Sequence, residues 1–126
     1  MNTLNFQKIG FEAISSMKEN DRNAQRNAAL NLPHLLRAHG LAATLGFGAD
    51  KSDAAIQSIT LAFVSSLDQI CAVDGTNAAA KIEALKTERQ ATYLLHSRLA
   101  LKLADGIALA ARALWAIEIN KPTEAT

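Results

Sequence analysis

This 126-residue chain is poor in the features that most often announce an activity. It contains one cysteine, Cys71, so no disulfide can form within it. A nucleophilic thiol needs a cationic neighbour to lower its pKa. The nearest charges to Cys71 are Asp68 and Asp74, so it reads as a buried, inert thiol. No stretch is apolar over the ~20 residues that a membrane span requires. The best candidate, Ile107–Ile117, is interrupted by Arg112 and preceded by Asp105. The opening MNTLNFQKIGFEAISSMK lacks the continuous apolar core of a secretion signal. A soluble, cytoplasmic protein without a membrane partner is the expectation. Ligand-forming motifs are missing as well: there is no HxxxH, no CxxC and no carboxylate cluster. His34 and His39 are spaced to face different sides of a helix, and His96 is remote. Gly46-Phe47-Gly48 has no strand before it and no GK[ST] after it, so it is not a phosphate loop. With no paired groups for acid–base or nucleophilic chemistry, no catalytic residue, metal or cofactor is expected, and the chain does not read as an enzyme.

Aromatic residues make up only 5% of the chain and β-branched residues are scarce, which disfavours a sheet. Ala and Leu dominate a hydrophobic content of 49%, and both head the helix scale. Charged residues at 20% are ordinary for a globular protein. A chain of about this length can bury roughly 70% of its unfolded surface in one domain. The expected unit is residues 1–126, with a short flexible tail from about residue 120.

The periodicity predicts an all-α bundle of five or six helices. Thr3 caps a first helix running to about Glu19, with Phe6, Ile9, Ala13 and Met17 inward. Asn20-Asp21 starts a second, about Arg22–His39, which contains Pro33; the apolar stripe continues in phase across the proline, so one kinked helix is favoured over two pieces. Gly40 supplies the positive φ that ends it. Leu41–Phe47 forms a short third helix in which Leu41, Leu45 and Phe47 resume burial. Ser52 caps a fourth with an inner face of Ile56, Ile59, Phe63, Leu67 and Ile70. Thr76 or Asn77 caps a fifth through Leu85, and a last helix runs from about Thr87 to Ile119. That helix is apolar around most of its circumference, and Gly106 within it implies close approach of a neighbour. Tyr93 and Trp115 read as packing anchors.

Two basic stripes are the candidate binding residues. At 100° per residue, Arg22, Arg26 and Arg37 fall within roughly 60° of one another, on the side away from much of the Ala/Leu face, over ~22 Å if the helix is straight. Lys18 extends the row, and no acidic residue occurs between Arg22 and Asp50. A solubilising face would usually mix signs. On the last helix Arg98, Lys102, Asp105 and Arg112 lie within about 80°. Guanidinium pairs bidentately with phosphate, and a duplex offers one per ~3.4 Å of each strand. Either stripe also reads as a solvated surface, with Lys102 and Asp105 paired at i,i+3. The net charge of +1 excludes a strong free-standing nucleic-acid binder, so any RNA role is local and shared with partners.

The segment Leu32–Phe47, LPHLLRAHGLAATLGF, followed by GADK ending at Lys51, resembles the signature of the small α-helical subunit of the type III-B CRISPR effector complex, the Cmr complex. The resemblance extends over Arg22–Lys51 and again over Tyr93–Leu114, where Tyr93, Ser97, Ala100, Leu101, Arg112 and Ala113 fill matching places. Leu99 replaces an expected glutamate and Leu114 an expected aromatic, which puts contacts from that helix in doubt. The resemblance implies a non-catalytic subunit of an RNA-guided antiviral ribonucleoprotein. Copies of it would stack into an inner filament beside the backbone subunits, with basic faces toward the guide–target RNA duplex and cleavage left to the backbone subunit. The RNA-contacting candidates are then Arg22, Arg26, Arg37, Lys51, Arg98, Lys102 and Arg112, Lys51 as a loop lysine reaching a phosphate. A filament needs two different complementary patches; the arginine row and the acidic, hydroxyl-rich fourth helix are one conceivable pair. The alternative is a helical adaptor or regulator that binds only protein.

Overall fold

The computed structural model describes residues 6–19, 21–49, 53–70, 75 and 77–119, with side chains to Trp115. These form six helices and, among the described residues, no strand: α1 (Phe6–Ser15), α2 (Arg22–His39), α3 (Leu41–Ala49), α4 (Ala54–Leu67), α5 (Ala78–Lys86) and α6 (Gln90–Ile119). The expected cap Thr3, the loop lysine Lys51, Cys71 and the tail beyond residue 119 lie outside the described residues.

Helix ends follow short polar side chains. Asp21, at φ 53°, accepts a hydrogen bond from the Ala24 amide and starts α2. Asp53, not Ser52, caps α4, its carboxylate accepting from the Ile56 amide at 3.0 Å. An anionic cap also gains from the helix dipole, which a serine does not. Asn77 caps α5 through the Ala80 amide. The helix α1 stops at Ser15 instead of Glu19, because the chain tightens there: the Met17 amide bonds the Ile14 carbonyl and the Ser16 hydroxyl donates to the Ala13 carbonyl. Thr87 closes α5 by donating to the Ala84 carbonyl, so α6 begins only at Gln90. Pro33 lies buried inside a continuous α2, and Gly40 ends it at φ 87°.

The helix α6 is the spine. It packs most extensively against α1 and α2, while α4 bridges this group to α3 and α5. Its apolar sides supply Ala100, Leu103, Ala104, Ile107, Ala110, Ala111 and Trp115 to one core with Leu41, Leu45, Ile59, Phe63 and Leu67. Leu32 and Leu36 join that core as expected, but Phe47 does not: it is 44% exposed and meets the His39 ring edge-on, centroids 5.4 Å apart. The phenol oxygen of Tyr93 accepts from the Ala42 amide, tying the start of α6 to the start of α3. Lys81 is fully buried. Its ammonium donates to the Asp68 carboxylate at 2.6 Å and to the Gly75 carbonyl at 2.9 Å, which pins the connection between α4 and α5.

The closest approach is between α1 and α6. A Cβ at Gly106 would lie 2.5 Å from the Phe6 carbonyl oxygen, and one at Gly10 would lie 2.5 Å from the Gly106 carbonyl carbon. Two glycines face each other because backbone touches backbone. Gly106→Ala and Gly10→Ala are each expected to destabilise the protein by about 1–3 kcal/mol through overpacking. Gly46, in α3 with open space around it, is the contrast: Gly46→Ala should stabilise by up to ~1 kcal/mol. Urea unfolding of the three variants checks the opposite signs.

Candidate nucleic-acid interface

The arginine row of α2 does not point into open solvent on the back of the helix. It runs along the seam where α2 packs on α6. The Arg22 guanidinium lies over the Trp115 ring, 4.4 Å from its centroid, and donates to Gln25 Oε1 at 2.8 Å. Gln25, itself buried, donates onward to the Lys18 carbonyl. Arg26 is half-buried with its Nε enclosed. Arg37 is exposed and sits 3.5 Å from the Asp105 carboxylate. The orientation differs from the sequence expectation because Ala29, Pro33 and Leu36, which share that side of α2, are buried and draw the row inward.

The same packing brings the two basic stripes together. Arg22 meets Trp115 and Arg37 meets Asp105, so α2 and α6 run antiparallel with their basic residues flanking one seam. Arg98, Lys102 and Arg112 are exposed on α6. Asp105 pairs with Arg37 across the seam, not with Lys102 along the helix; the Lys102 ammonium instead lies 5.9 Å from the Phe6 ring centroid on the α1 side. Among the described residues neither Arg98 nor Arg112 has an ion-pair partner. Across α2 and residues 90–115 of α6 the only carboxylate is Asp105. The result is one guanidinium-rich strip with Leu94 and Leu109 exposed within it.

Trp115, as the platform for Arg22, and Asp105, as the partner of Arg37, were not legible as seam residues. The signal available was helical phase: Trp115 and Asp105 lie on the two edges of the α6 side that faces α2. Of the histidines, His96 is buried with Nδ1 2.8 Å from Glu88 Oε2, whereas His34 and His39 are exposed. Among the described residues no group of three His, Cys, Asp or Glu side chains is arranged to hold a metal. No helix among them is long and apolar enough to cross a membrane.

The fold and the strip define a small helical bundle whose distinctive surface is a row of arginines. Residues 5–113 match the family of the CRISPR-associated protein Cas_Cmr5. That span takes in α1 to α5 and most of α6, and the chain belongs to the Cmr5 family of CRISPR-associated small subunits. Its fold is similar to the crystal structure of a CRISPR-associated Cmr5 family protein from Thermus thermophilus, with a TM-score of 0.75 and 24% sequence identity. The similarity covers 90% of this chain and 98% of that one. None of the curated proteins is significantly similar to it.

The arginines of the seam divide into packing and surface groups, which unfolding can separate. Arg22→Gln should cost about 1–2 kcal/mol through loss of the aromatic contact and of a hydrogen bond. It should also change the emission of Trp115, the only tryptophan. Arg112→Gln should stay within about 0.5 kcal/mol of the parent and leave the emission unchanged. Urea titration followed by fluorescence checks both.

Proposed function

We propose that this protein is a non-catalytic small subunit of a type III-B RNA-guided, RNA-targeting effector complex, and that its α2–α6 seam faces the backbone of the guide–target RNA. The observation that carries this reading is the charge distribution. Five arginines lie along α2 and α6 beside their seam, with Lys102 next to them on the α1 side, and Asp105 is the only carboxylate of these two helices among the described side chains, on a molecule whose net charge is only +1. Positive charge is therefore concentrated on one strip and balanced elsewhere. Such a strip contacts phosphates without reading bases, which suits a surface that must accept any guide sequence.

Copies of the subunit stack head to tail into an inner filament, and the other subunits hold the guide and cleave the target. The isolated chain binds RNA weakly, because one short strip supplies few phosphate contacts. Family membership and the all-helical fold support the subunit role; the strip supports the RNA contact. Cytoplasmic residence follows from that role.

Arg98, Lys102 and Arg112 are the residues to change, because they are exposed and lack ion-pair partners among the described residues. With all three replaced by Glu, the protein should keep its helical circular dichroism and enter the complex. Affinity of the complex for target RNA should fall at least tenfold, and the slope of log affinity against log salt should become shallower by about two to three. Unchanged affinity and slope would refute the RNA contact. That result would favour a protein-only adaptor using the same strip, a reading that the exposed Leu94 and Leu109 within it would then support.

A further inference from the structure

Between α1 and α4 the helices leave space that no side chain of theirs fills. A cleft of about 250 Å³ opens there, walled by Ala13 and Ser16 on one side and by Ala62, Ser65 and Ser66 on the other. Packed helices normally fill the room between them by interdigitating side chains; here both walls are alanine and serine. The α4 wall recurs at i, i+3 and i+4, and Gln69 follows at i+7, so a single helical face lines that side. An apolar cavity of ~150 Å³ holds benzene, so this cleft has room for one long side chain.

The lining has one electrical character. The Ser16 hydroxyl donates to the Ala13 carbonyl, and the Ser66 hydroxyl donates to the Ala62 carbonyl at 2.9 Å. Each proton is turned back onto its own backbone, and what the oxygen keeps for a visitor is acceptor capacity. Glu12, exposed on α1 and also lining the cleft, adds a carboxylate with no ion-pair partner among the described residues. No basic residue lines the cleft, and α4 carries no charged residue from Ala54 to Leu67. Acceptors without a matching donor, around a gap of side-chain size, are complementary in charge to a cation.

We propose that this cleft is a protein-docking site that receives one arginine side chain from another subunit of the complex. The methylene stem of that arginine lies against the Ala13 and Ala62 methyl groups, and its guanidinium reaches Glu12 and the serine oxygens. Five donors in one plane suit acceptors spread over two helices better than the point charge of a lysine does. This chain's own exposed cations without ion pairs, Arg98, Lys102 and Arg112, belong to the α2–α6 strip, so the arginine is a partner's. The inference rests on the subunit reading above and not on RNA contact by the strip.

The test has two arms. In the first, the isolated full chain is titrated with N-acetyl-arginine amide at constant ionic strength and followed by amide NMR. Resonances of Glu12, Ser16, Ser65 and Gln69 should shift saturably. N-acetyl-citrulline amide, equal in length but uncharged, should leave them in place. Glu12→Gln alters only an exposed side chain, so its folding is not at issue, and it should weaken binding at least fivefold. Glu83→Gln, on α5 and outside the cleft, should bind as the parent does. In the second arm the complex is reconstituted from its subunits. Glu12→Arg should enter it at least fivefold more weakly than the parent, whereas the chain with Arg98, Lys102 and Arg112 replaced by Glu should enter normally.

Equal shifts with the arginine and citrulline derivatives, or an unchanged affinity in Glu12→Gln, would overturn the cation site. Normal entry of Glu12→Arg would overturn the docking role even where the free arginine derivative binds. Self-association of the isolated chain, lost in both Glu12→Arg and Arg112→Gln, would make the occupant a second copy and overturn its assignment to a different subunit. Failure of the parent chain itself to enter the complex would overturn the subunit reading and this site with it. None of these readouts involves RNA, so failure of this site and failure of the RNA-facing strip are distinguishable.

Discussion

A thirty-residue helix that is apolar on most of its sides has to be covered, and in this protein that requirement organises everything else. The helix α6 cannot be solvated, so α1 and α2 lie along two of its flanks and α4 reaches it from a third. On the α1 flank the demand for closeness is met by removing side chains altogether, with Gly10 against Gly106. On the α2 flank it is met by small or rigid residues, Ala29 and Pro33, edged by arginines whose long stems extend the apolar cover and whose heads reach the rim. One narrow strip of α6 is left uncovered, and that strip carries Arg98, Lys102, Asp105 and Arg112.

The charge pattern is therefore a by-product of packing. Arg22 stays in place because Trp115 and Gln25 hold it, and Arg37 because Asp105 is opposite. The latter pair is exposed and worth under about 1 kcal/mol, so it orients Arg37 more than it stabilises the fold. Arg26, Arg98, Lys102 and Arg112 have no ion-pair partner among the described residues. A protein that spends its carboxylates elsewhere, as caps on α2 and α4 and as partners of Lys81 and Lys86, leaves this side of the molecule positive although its total charge is close to zero.

Much of this architecture was legible in the sequence because it follows from local rules. The bounds of α2, the positive φ at Gly40, the long last helix and the close approach at Gly106 all follow from periodicity, glycine chemistry and capping. What was not legible depended on which faces meet. The phase of Arg22, Arg26 and Arg37 was right, but whether that phase looked outward depended on where α6 lies, and no single-helix argument contains that. Phe47 was expected inside for the same reason: its neighbours Leu41 and Leu45 are buried, yet it falls on the far side of a short helix, against His39. The partnership of Gly10 with Gly106 needed the crossing of two helices distant in sequence. The family resemblance, drawn from Leu32–Lys51 and Tyr93–Leu114, proved to be part of a match over residues 5–113.

The central claim is directional: the α2–α6 strip, and not another face, lies against RNA in the assembled complex. Site-specific photocrosslinking tests it most directly. A photoreactive side chain at Leu109, exposed within the strip, should capture target or guide RNA in the reconstituted complex, whereas one at Asn31, exposed on the side of α2 opposite Arg22, should capture none. RNA captured at position 31 and not at 109, or protein alone captured at 109, would contradict the account.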